Sequence, residues 1–171
     1  VISSGASPVI PPIPGVDLGR VFTLKTLSDA YNIKSTLKNH EVENVAIIGG
    51  GYIGVELAEA CVLQRKKVRL FEAKPNILNG FDEEFAIAAE KELSNNGVIV
   101  HKAANVEALL GEEHVQQVVC SGIKYNVDMV ILAAGVRPNT SFIDGTAIRK
   151  EKNGAITTNG QMQTSIPDIH A

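Results

Sequence analysis

Three glycines and one glutamate have the types and spacing of a nucleotide-binding site. Gly49, Gly51 and Gly54 fit the pattern G-x-G-x-x-G, and Glu72 ends the next apolar segment. In such a loop the first glycine permits a tight turn, the second lets a diphosphate approach the backbone, and the third lets a helix pack closely on the sheet. A carboxylate in the position of Glu72 accepts hydrogen bonds from ribose hydroxyls. The pattern therefore predicts a dinucleotide site.

The segments around the glycine loop have the order that such a site needs. Apolar residues predict a strand over 45–48, a helix over 52–64 and a second strand over 68–72. The loop then lies between a strand and a helix. Free N–H groups and the positive end of the helix dipole would face the diphosphate.

The remaining segments predict the rest of an α/β fold. A helix follows Asp82 and ends near Gly97, and residues 98–101 predict a strand, which completes a βαβαβ unit. Short apolar segments within 106–125 predict a small antiparallel meander. Residues 129–134 predict another buried strand. We therefore expect a Rossmann-like parallel sheet in which a β-meander replaces one crossover helix.

The amino-terminal region predicts a connection followed by a helix. Residues 7–15 contain four prolines and must be extended. Residues 28–38 carry apolar side chains at helical spacing, with Ser28 as the expected N-cap.

Composition restricts the kind of partner. The chain has 171 residues and a net charge of −3, without a basic block that could neutralise a row of phosphates, so we expect no nucleic-acid partner. No apolar run reaches the roughly 18 to 20 residues of a membrane span, and the amino terminus lacks a signal-peptide pattern. Cys61 and Cys120 have neither CxxC nor zinc spacing and are expected to be buried packing residues. We expect a cytoplasmic protein with no membrane partner and no metal site.

The glycine pattern by itself leaves the identity of the ligand open. The same fingerprint binds FAD or, in a shifted form, S-adenosylmethionine. The Glu72 carboxylate would oppose a 2′-phosphate, which favours NADH over NADPH. Arg69 and Lys74 weaken that preference, since either side chain could turn towards a phosphate.

Three flanking motifs resemble those of the flavin-dependent pyridine nucleotide-disulfide oxidoreductases. Residues 1–8 (VISSGASP) are similar to the strand and turn that end the first FAD-domain segment of that family. Residues 133–140 (AAGVRPNT) are similar to its closing motif, and residues 164–171 (TSIPDIHA) to its return into the FAD domain. The resemblance covers essentially the whole chain and is strongest to the branch with NADH oxidase, NADH peroxidase and coenzyme A-disulfide reductase.

The resemblance implies a division of the chain. Residues 1–15 would be the end of an FAD-domain segment and a linker, residues 16–145 the NAD(H)-binding domain, and residues 146–171 a return segment towards the FAD domain. The FAD fingerprint and a redox-active cysteine would precede Val1, and a dimerisation domain would follow Ala171. The expected partners are these domains of the same polypeptide and, at full length, a second copy in a homodimer.

The resemblance also implies roles for residues outside the glycine pattern. Tyr52 corresponds to an aromatic residue that closes over the flavin, and Glu56 to a carboxylate that orients the nicotinamide carboxamide. Residues four apart share one helix face, so both side chains could address the same end of the cofactor. Ile53 would offer its N–H to the diphosphate, while Ala134 and Gly135 would line the opposite wall. No catalytic side chain is expected on this chain.

These expectations combine into one function and two alternatives. The chain would be the NAD(H)-binding domain of a flavoprotein that passes hydride from NADH to FAD and on to oxygen, peroxide or a disulfide. By itself it would bind NADH weakly and turn over nothing. The alternatives are a stand-alone NAD(H)-binding sensor or interaction module, and an S-adenosylmethionine-dependent methyltransferase.

Overall fold

Short strands and three α-helices alternate along most of the chain. The computed structural model describes all residues from 1 to 171. In chain order the elements are β1 (Ala6–Pro8), β2 (Val21–Thr23), α1 (Leu27–Leu37), β3 (Asn44–Ile48), α2 (Tyr52–Leu63), β4 (Lys67–Phe71), α3 (Glu83–Asn95), β5 (Ile99–His101), β6 (Val106–Gly111), β7 (Val115–Cys120), β8 (Ile123–Asn126), β9 (Met129–Leu132), β10 (Val136–Pro138) and a 3-10 helix (Ser141–Ile143). No helix is both long and apolar enough to cross a membrane.

A five-stranded parallel sheet forms the centre of the unit that spans residues 10–135. Its strand order is β2-β9-β3-β4-β5, and every neighbouring pair is parallel. The chain passes from β3 through α2 to β4 and through α3 to β5, which is the predicted βαβαβ unit. Because β4 and β9 flank β3 on opposite sides, the strand order reverses at β3. Sheets of this type bind ligands in the crevice that opens at such a reversal.

The two faces of the sheet are buried by different elements. Along β3, Val45 and Ile47 belong to the apolar cluster on the helical face, whereas Ala46 and Ile48 belong to the cluster shared with β6, β7 and β8. Those three strands form an antiparallel sheet in the order β6-β7-β8. Burial on both faces explains why β3 and β9 are almost uninterrupted apolar runs. The predicted α/β class with an antiparallel meander is confirmed.

Helix α1 begins earlier than its apolar spacing indicates. Its N-cap is Thr26 rather than Ser28, because Thr26 and Asp29 form a capping box. Thr26 Oγ1 accepts a hydrogen bond from the Asp29 N–H (3.2 Å), and the Asp29 carboxylate accepts one from the Thr26 N–H (2.7 Å). The acid three residues after the threonine was the sequence signal for this cap.

A second unit comprises residues 1–9 and 136–171. Strand β1 pairs antiparallel with β10, and Asn139 ties the segments together. Its Nδ2 donates to the Ser4 carbonyl (3.0 Å), and its Oδ1 accepts from the Ser7 hydroxyl (2.8 Å). The functional division at residues 15 and 145 stays a prediction, since these units are defined by packing.

Asp128 joins the amino end of β9 to that of β3. Its Oδ2 accepts hydrogen bonds from the N–H groups of Glu43 (3.0 Å) and Asn44 (2.7 Å) and from Asn44 Nδ2 (3.0 Å). Burial by itself would raise the pKa of Asp128, but these hydrogen bonds and the charge of Arg20 outweigh burial and lower the pKa.

Replacing Asp128 by alanine is expected to lower the free energy of unfolding by about 1 to 3 kcal/mol at pH 7, because the N–H groups lose their acceptor. The native pKa lies below the unfolded value of about 3.9, so the contribution is present above that pH and is lost as the pH falls through the native pKa. Urea titrations at pH 7 and pH 3 measure the difference between Asp128→Ala and wild type. Asp17→Ala serves as control, and a loss equally large at both pH values would refute the assignment.

Candidate functional site

A cleft of about 690 Å³ opens at the carboxyl ends of β3, β4 and β9. It therefore lies at the reversal of strand order, where sheets of this type bind ligands. Six of the nine predicted site residues line it: Gly49, Gly51, Tyr52, Glu72, Ala134 and Gly135.

The glycines of the loop are required for two different reasons. Gly49 has φ +115°, and a Cβ there would lie 2.2 Å from the Ala133 carbonyl oxygen. A Cβ at Gly54 would lie 1.9 Å from the Gly49 carbonyl oxygen. These two glycines are required by the fold itself. A Cβ at Gly51, in contrast, would meet no atom within 4 Å, and because Gly51 lines the cleft, the backbone here is open to a ligand.

The amino end of helix α2 faces this space without a side-chain cap. Gly51 is the N-cap residue, and its extended backbone (φ −72°) provides no side chain to accept a hydrogen bond. The first turn contains no acidic residue that could neutralise the positive end of the dipole. First-turn N–H groups without a cap are available to an anion, so the geometry fits a diphosphate.

Glu72 connects the glycine loop with the loop that follows β4. Its side chain is 9% exposed. Oε2 accepts a hydrogen bond from the Gly50 N–H (2.7 Å), and Oε1 accepts one from the Lys74 N–H (2.8 Å). A Cβ at Gly50 would lie 3.0 Å from the Glu72 Cβ and 2.8 Å from Ile77 Cγ2. The middle glycine of the loop thus packs closely against both Ile77 and the acid.

Sequence comparison identifies the family to which this arrangement belongs. The profile of the pyridine nucleotide-disulphide oxidoreductases matches residues 1–171. The chain belongs to this family. The resemblance inferred from the three flanking motifs is thereby confirmed.

Named members of this family match the whole chain in sequence, and a solved structure matches nearly all of it. It is 40% identical over 172 residues to an NAD(P)H sulfur oxidoreductase (CoA-dependent) of Pyrococcus abyssi, and 39% identical over 174 residues to an NADH oxidase of Enterococcus faecalis. It spans 38% of the length of each. A water-forming NADH oxidase from Lactobacillus brevis bound to NADH superposes with a TM-score of 0.89 at 32% identity, over 98% of this chain and 37% of that one.

Three site residues suggested by the family resemblance or the glycine pattern lie outside the lining of the cleft. Gly54 is buried under the loop, Ile53 is half-buried and Glu56 is exposed on α2. Tyr52 does line the cleft and is 65% exposed. Tyr52 lies one turn before Glu56, and both residues are exposed.

Apart from Lys74, the loop over residues 73–82 was not singled out in the sequence, yet it forms part of the cleft. The Leu78 N–H donates a hydrogen bond to the Gly50 carbonyl (2.8 Å), which ties this loop to the glycine loop. The neighbouring Phe81 lines the cleft although its side chain is 59% exposed. A loop without periodic apolar residues offers no sequence signal for such a contact.

The two cations that could contact a phosphate are placed differently. The Arg69 guanidinium lies over the Tyr125 ring, 5.4 Å from its centroid, a distance typical of a cation–π contact. Lys74 lies two residues after Glu72 and lines the cleft. Only Lys74 therefore stands beside the candidate ribose position.

Cys61 is expected to be inert towards thiol reagents in the folded protein. It is fully buried in the cluster on the helical face, and burial raises its pKa to about 11, whereas only the thiolate reacts. Labelling with a chromogenic disulfide at pH 8 should leave Cys61 unmodified in the native chain and modify it after unfolding in urea. The buried Cys120 can be replaced by serine so that one thiol is followed. Rapid modification of native Cys61 would contradict this placement.

Proposed function

We propose that this chain is the NAD(H)-binding domain of a flavoprotein oxidoreductase that passes hydride from NADH to FAD and on to oxygen, peroxide or a disulfide. The observation that carries the proposal is the open space at Gly51 in front of the uncapped α2 terminus. Both features suit a diphosphate, and Glu72 stands at the end of the adjacent strand, where a ribose would lie.

The diphosphate is bound mainly by backbone groups in this proposal. Gly49 and Gly54 let the loop turn sharply beneath α2, and Gly51 leaves room for the phosphate oxygens. The N–H of Ile53, in the first turn, donates to one of these oxygens. The Glu72 carboxylate accepts hydrogen bonds from the adenosine ribose hydroxyls through lone pairs that Gly50 and Lys74 do not use.

The nicotinamide end is assigned to the other side of the glycine loop. Tyr52 covers the ring position, and Glu56 accepts a hydrogen bond from the carboxamide. Ala134 and Gly135 line the opposite wall after β9. When bound, the nicotinamide and the flavin supply the hydride chemistry. The contribution of this chain is to hold the cofactor in one orientation.

The same site favours NADH over NADPH in this proposal. A 2′-phosphate would bring negative charge against Glu72, which already accepts two backbone hydrogen bonds and cannot turn away without losing them. Arg69 is held on Tyr125 and does not compensate. The Lys74 ammonium would partly offset the repulsion by attracting a 2′-phosphate. The name of the Pyrococcus abyssi relative, an NAD(P)H sulfur oxidoreductase, includes both cofactors.

The proposed partners are the other parts of a longer polypeptide. The relatives are much longer than the region matched, so we assign the FAD domain and a dimerisation domain to the remainder, with a homodimer at full length. Two free cysteines support a reducing, cytoplasmic setting.

Calorimetry with three ligands tests this function. The chain is expected to bind NADH, to bind NADPH more weakly and not to bind S-adenosylmethionine. Absorbance at 340 nm should show no NADH oxidation by the chain without an added FAD domain. Absence of NADH binding would refute the proposal, and binding of S-adenosylmethionine would favour a methyltransferase. Tight binding of NADH without flavin, in a protein that has no FAD domain, would favour a sensor.

A further inference from the structure

An aromatic stack lies directly beneath the adenosine side of the cleft. We call Phe71, His101 and Tyr125 the positioning stack. Phe71 and His101 are paired residues on the parallel strands β4 and β5, and their rings are parallel within 7° with centroids 4.7 Å apart. The Tyr125 ring, from β8, meets both edge-on at 5.4 Å and 4.9 Å. These are the distances at which aromatic rings attract one another.

The positioning stack is connected to the carboxylate assigned to the ribose. Phe71 directly precedes Glu72, is 1% exposed and lines the cleft. The Glu72 N–H donates a hydrogen bond to the His101 carbonyl (2.8 Å), and the Glu72 carbonyl accepts one from the Ala104 N–H (2.9 Å). His101 therefore holds this end of β4 in two ways, through its ring and through its backbone.

The neutral form of His101 suits this position better than the cation. Its Nε2 is buried and has no hydrogen-bond partner, so a proton there would be a buried donor without an acceptor. The neutral tautomer that carries its proton on Nδ1 leaves an uncharged, unpaired acceptor on Nε2, which costs less than a charged, unpaired donor.

The charges around His101 also favour its neutral form. Burial, and then the positive charge of Arg69, lower the pKa of His101. On the neighbouring elements, Glu72 has both oxygens occupied by backbone N–H groups, and Lys102 is paired with Glu90 of α3 at 2.7 Å. The buried His101 Nε2 therefore has no carboxylate partner.

We propose that His101 is a positioning residue for the adenosine half of the dinucleotide site. Its neutral ring holds Phe71, and with it Glu72, where the ribose hydroxyls need an acceptor. Protonation at the buried Nε2, which has no acceptor, displaces the ring from the stack and weakens the adenosine half of the site, whereas the nicotinamide half, formed by α2 and the end of β9, is unaffected. This inference rests on the proposed function.

Two variants distinguish the effect of the aromatic ring at position 101 from the effect of its protonation. His101→Phe keeps an aromatic ring beside Phe71 but cannot be protonated, and His101→Ala removes the ring. Binding of ADP-ribose, which carries the adenosine half, and of nicotinamide mononucleotide is measured by calorimetry between pH 5.5 and pH 8. Thermal melts at each pH confirm that the proteins are folded.

The expected results differ for each variant and ligand. At pH 8, His101→Ala should weaken ADP-ribose binding by about three- to tenfold, the range expected from one lost aromatic pair, and should leave the mononucleotide unchanged. Wild type should lose ADP-ribose affinity on acidification, as the pH falls through the pKa of His101, which burial and Arg69 lower from its ordinary value. His101→Phe should match wild type at pH 8 within about twofold and should not lose affinity on acidification.

Two results would overturn the inference. One is unchanged ADP-ribose binding by folded His101→Ala, and the other is a wild-type pH profile retained in His101→Phe. If His101→Ala does not fold, the pH profile of His101→Phe decides. A wild-type protein that binds neither NADH nor ADP-ribose would instead refute the proposed function, so the two failures are distinguishable.

Discussion

Replacing Gly51 by valine is expected to abolish NADH binding while the protein stays folded. The Gly51 backbone is extended, which valine adopts without strain, and a Cβ at this position meets no protein atom within 4 Å. The added methyl groups would occupy the space assigned to the diphosphate and shield the first-turn N–H groups. We expect the dissociation constant to rise on the order of 100-fold, equivalent to about 2.7 kcal/mol, in a calorimetric titration.

Two other glycines provide controls for this experiment. A Cβ at Gly160 also meets no atom within 4 Å, but this residue lies outside the cleft, so Gly160→Val should change neither NADH affinity nor melting temperature. Gly54→Val should instead destabilise the fold, because its Cβ would collide with the Gly49 carbonyl. A Gly51→Val protein that binds NADH normally would show that the diphosphate lies elsewhere.

Replacing Glu72 by alanine is expected to change both stability and cofactor choice. The N–H groups of Gly50 and Lys74 would lose their acceptor in a largely buried position. The free energy of unfolding should fall by about 2 to 3 kcal/mol, which corresponds to a melting temperature about 5 to 10 °C lower. NADH should also bind more weakly, because the ribose hydroxyls lose their acceptor.

The ratio of the two cofactor affinities gives the sharper measurement. Removal of the Glu72 charge should move the ratio of NADPH to NADH affinity towards NADPH by about tenfold, or about 1.4 kcal/mol. Lys74→Ala is the matched control, since it keeps the Lys74 N–H that Glu72 accepts but removes the ammonium. It should move the ratio in the opposite direction without lowering the melting temperature. An unchanged ratio in Glu72→Ala would contradict the assignment of Glu72 to the ribose.

The features predicted correctly from the sequence depend on neighbours along the chain. The strand before Gly49 and the helix after Gly51 have apolar runs long enough to identify, and Gly97 stops α3 in the left-handed conformation (φ +84°) typical of a helix end. Such signals are local and therefore visible without a structure.

The features that were missed depend on contacts between distant segments. Strand β2 consists of residues that favour strands, but its three residues are too few to give a recognisable pattern, and it forms because it pairs with β9 at the sheet edge. The bond from Gly50 to Glu72 and the ring contact between His101 and Tyr125 likewise appear only when β4, β5 and β8 are brought together. Their residue types have no characteristic spacing.

The hydrogen bonds of Glu72 have a consequence for the kinetics of cofactor binding in the proposed function. The chain itself makes the bonds from Gly50 and Lys74 to Glu72 and from Leu78 to Gly50, so cofactor binding has little loop entropy to remove. The cofactor can then bind and dissociate without reordering of the glycine loop or of the loop over residues 73–82. The residence time of the bound cofactor should be set by its own contacts, and a mutation that frees these loops should weaken binding and shorten the residence time.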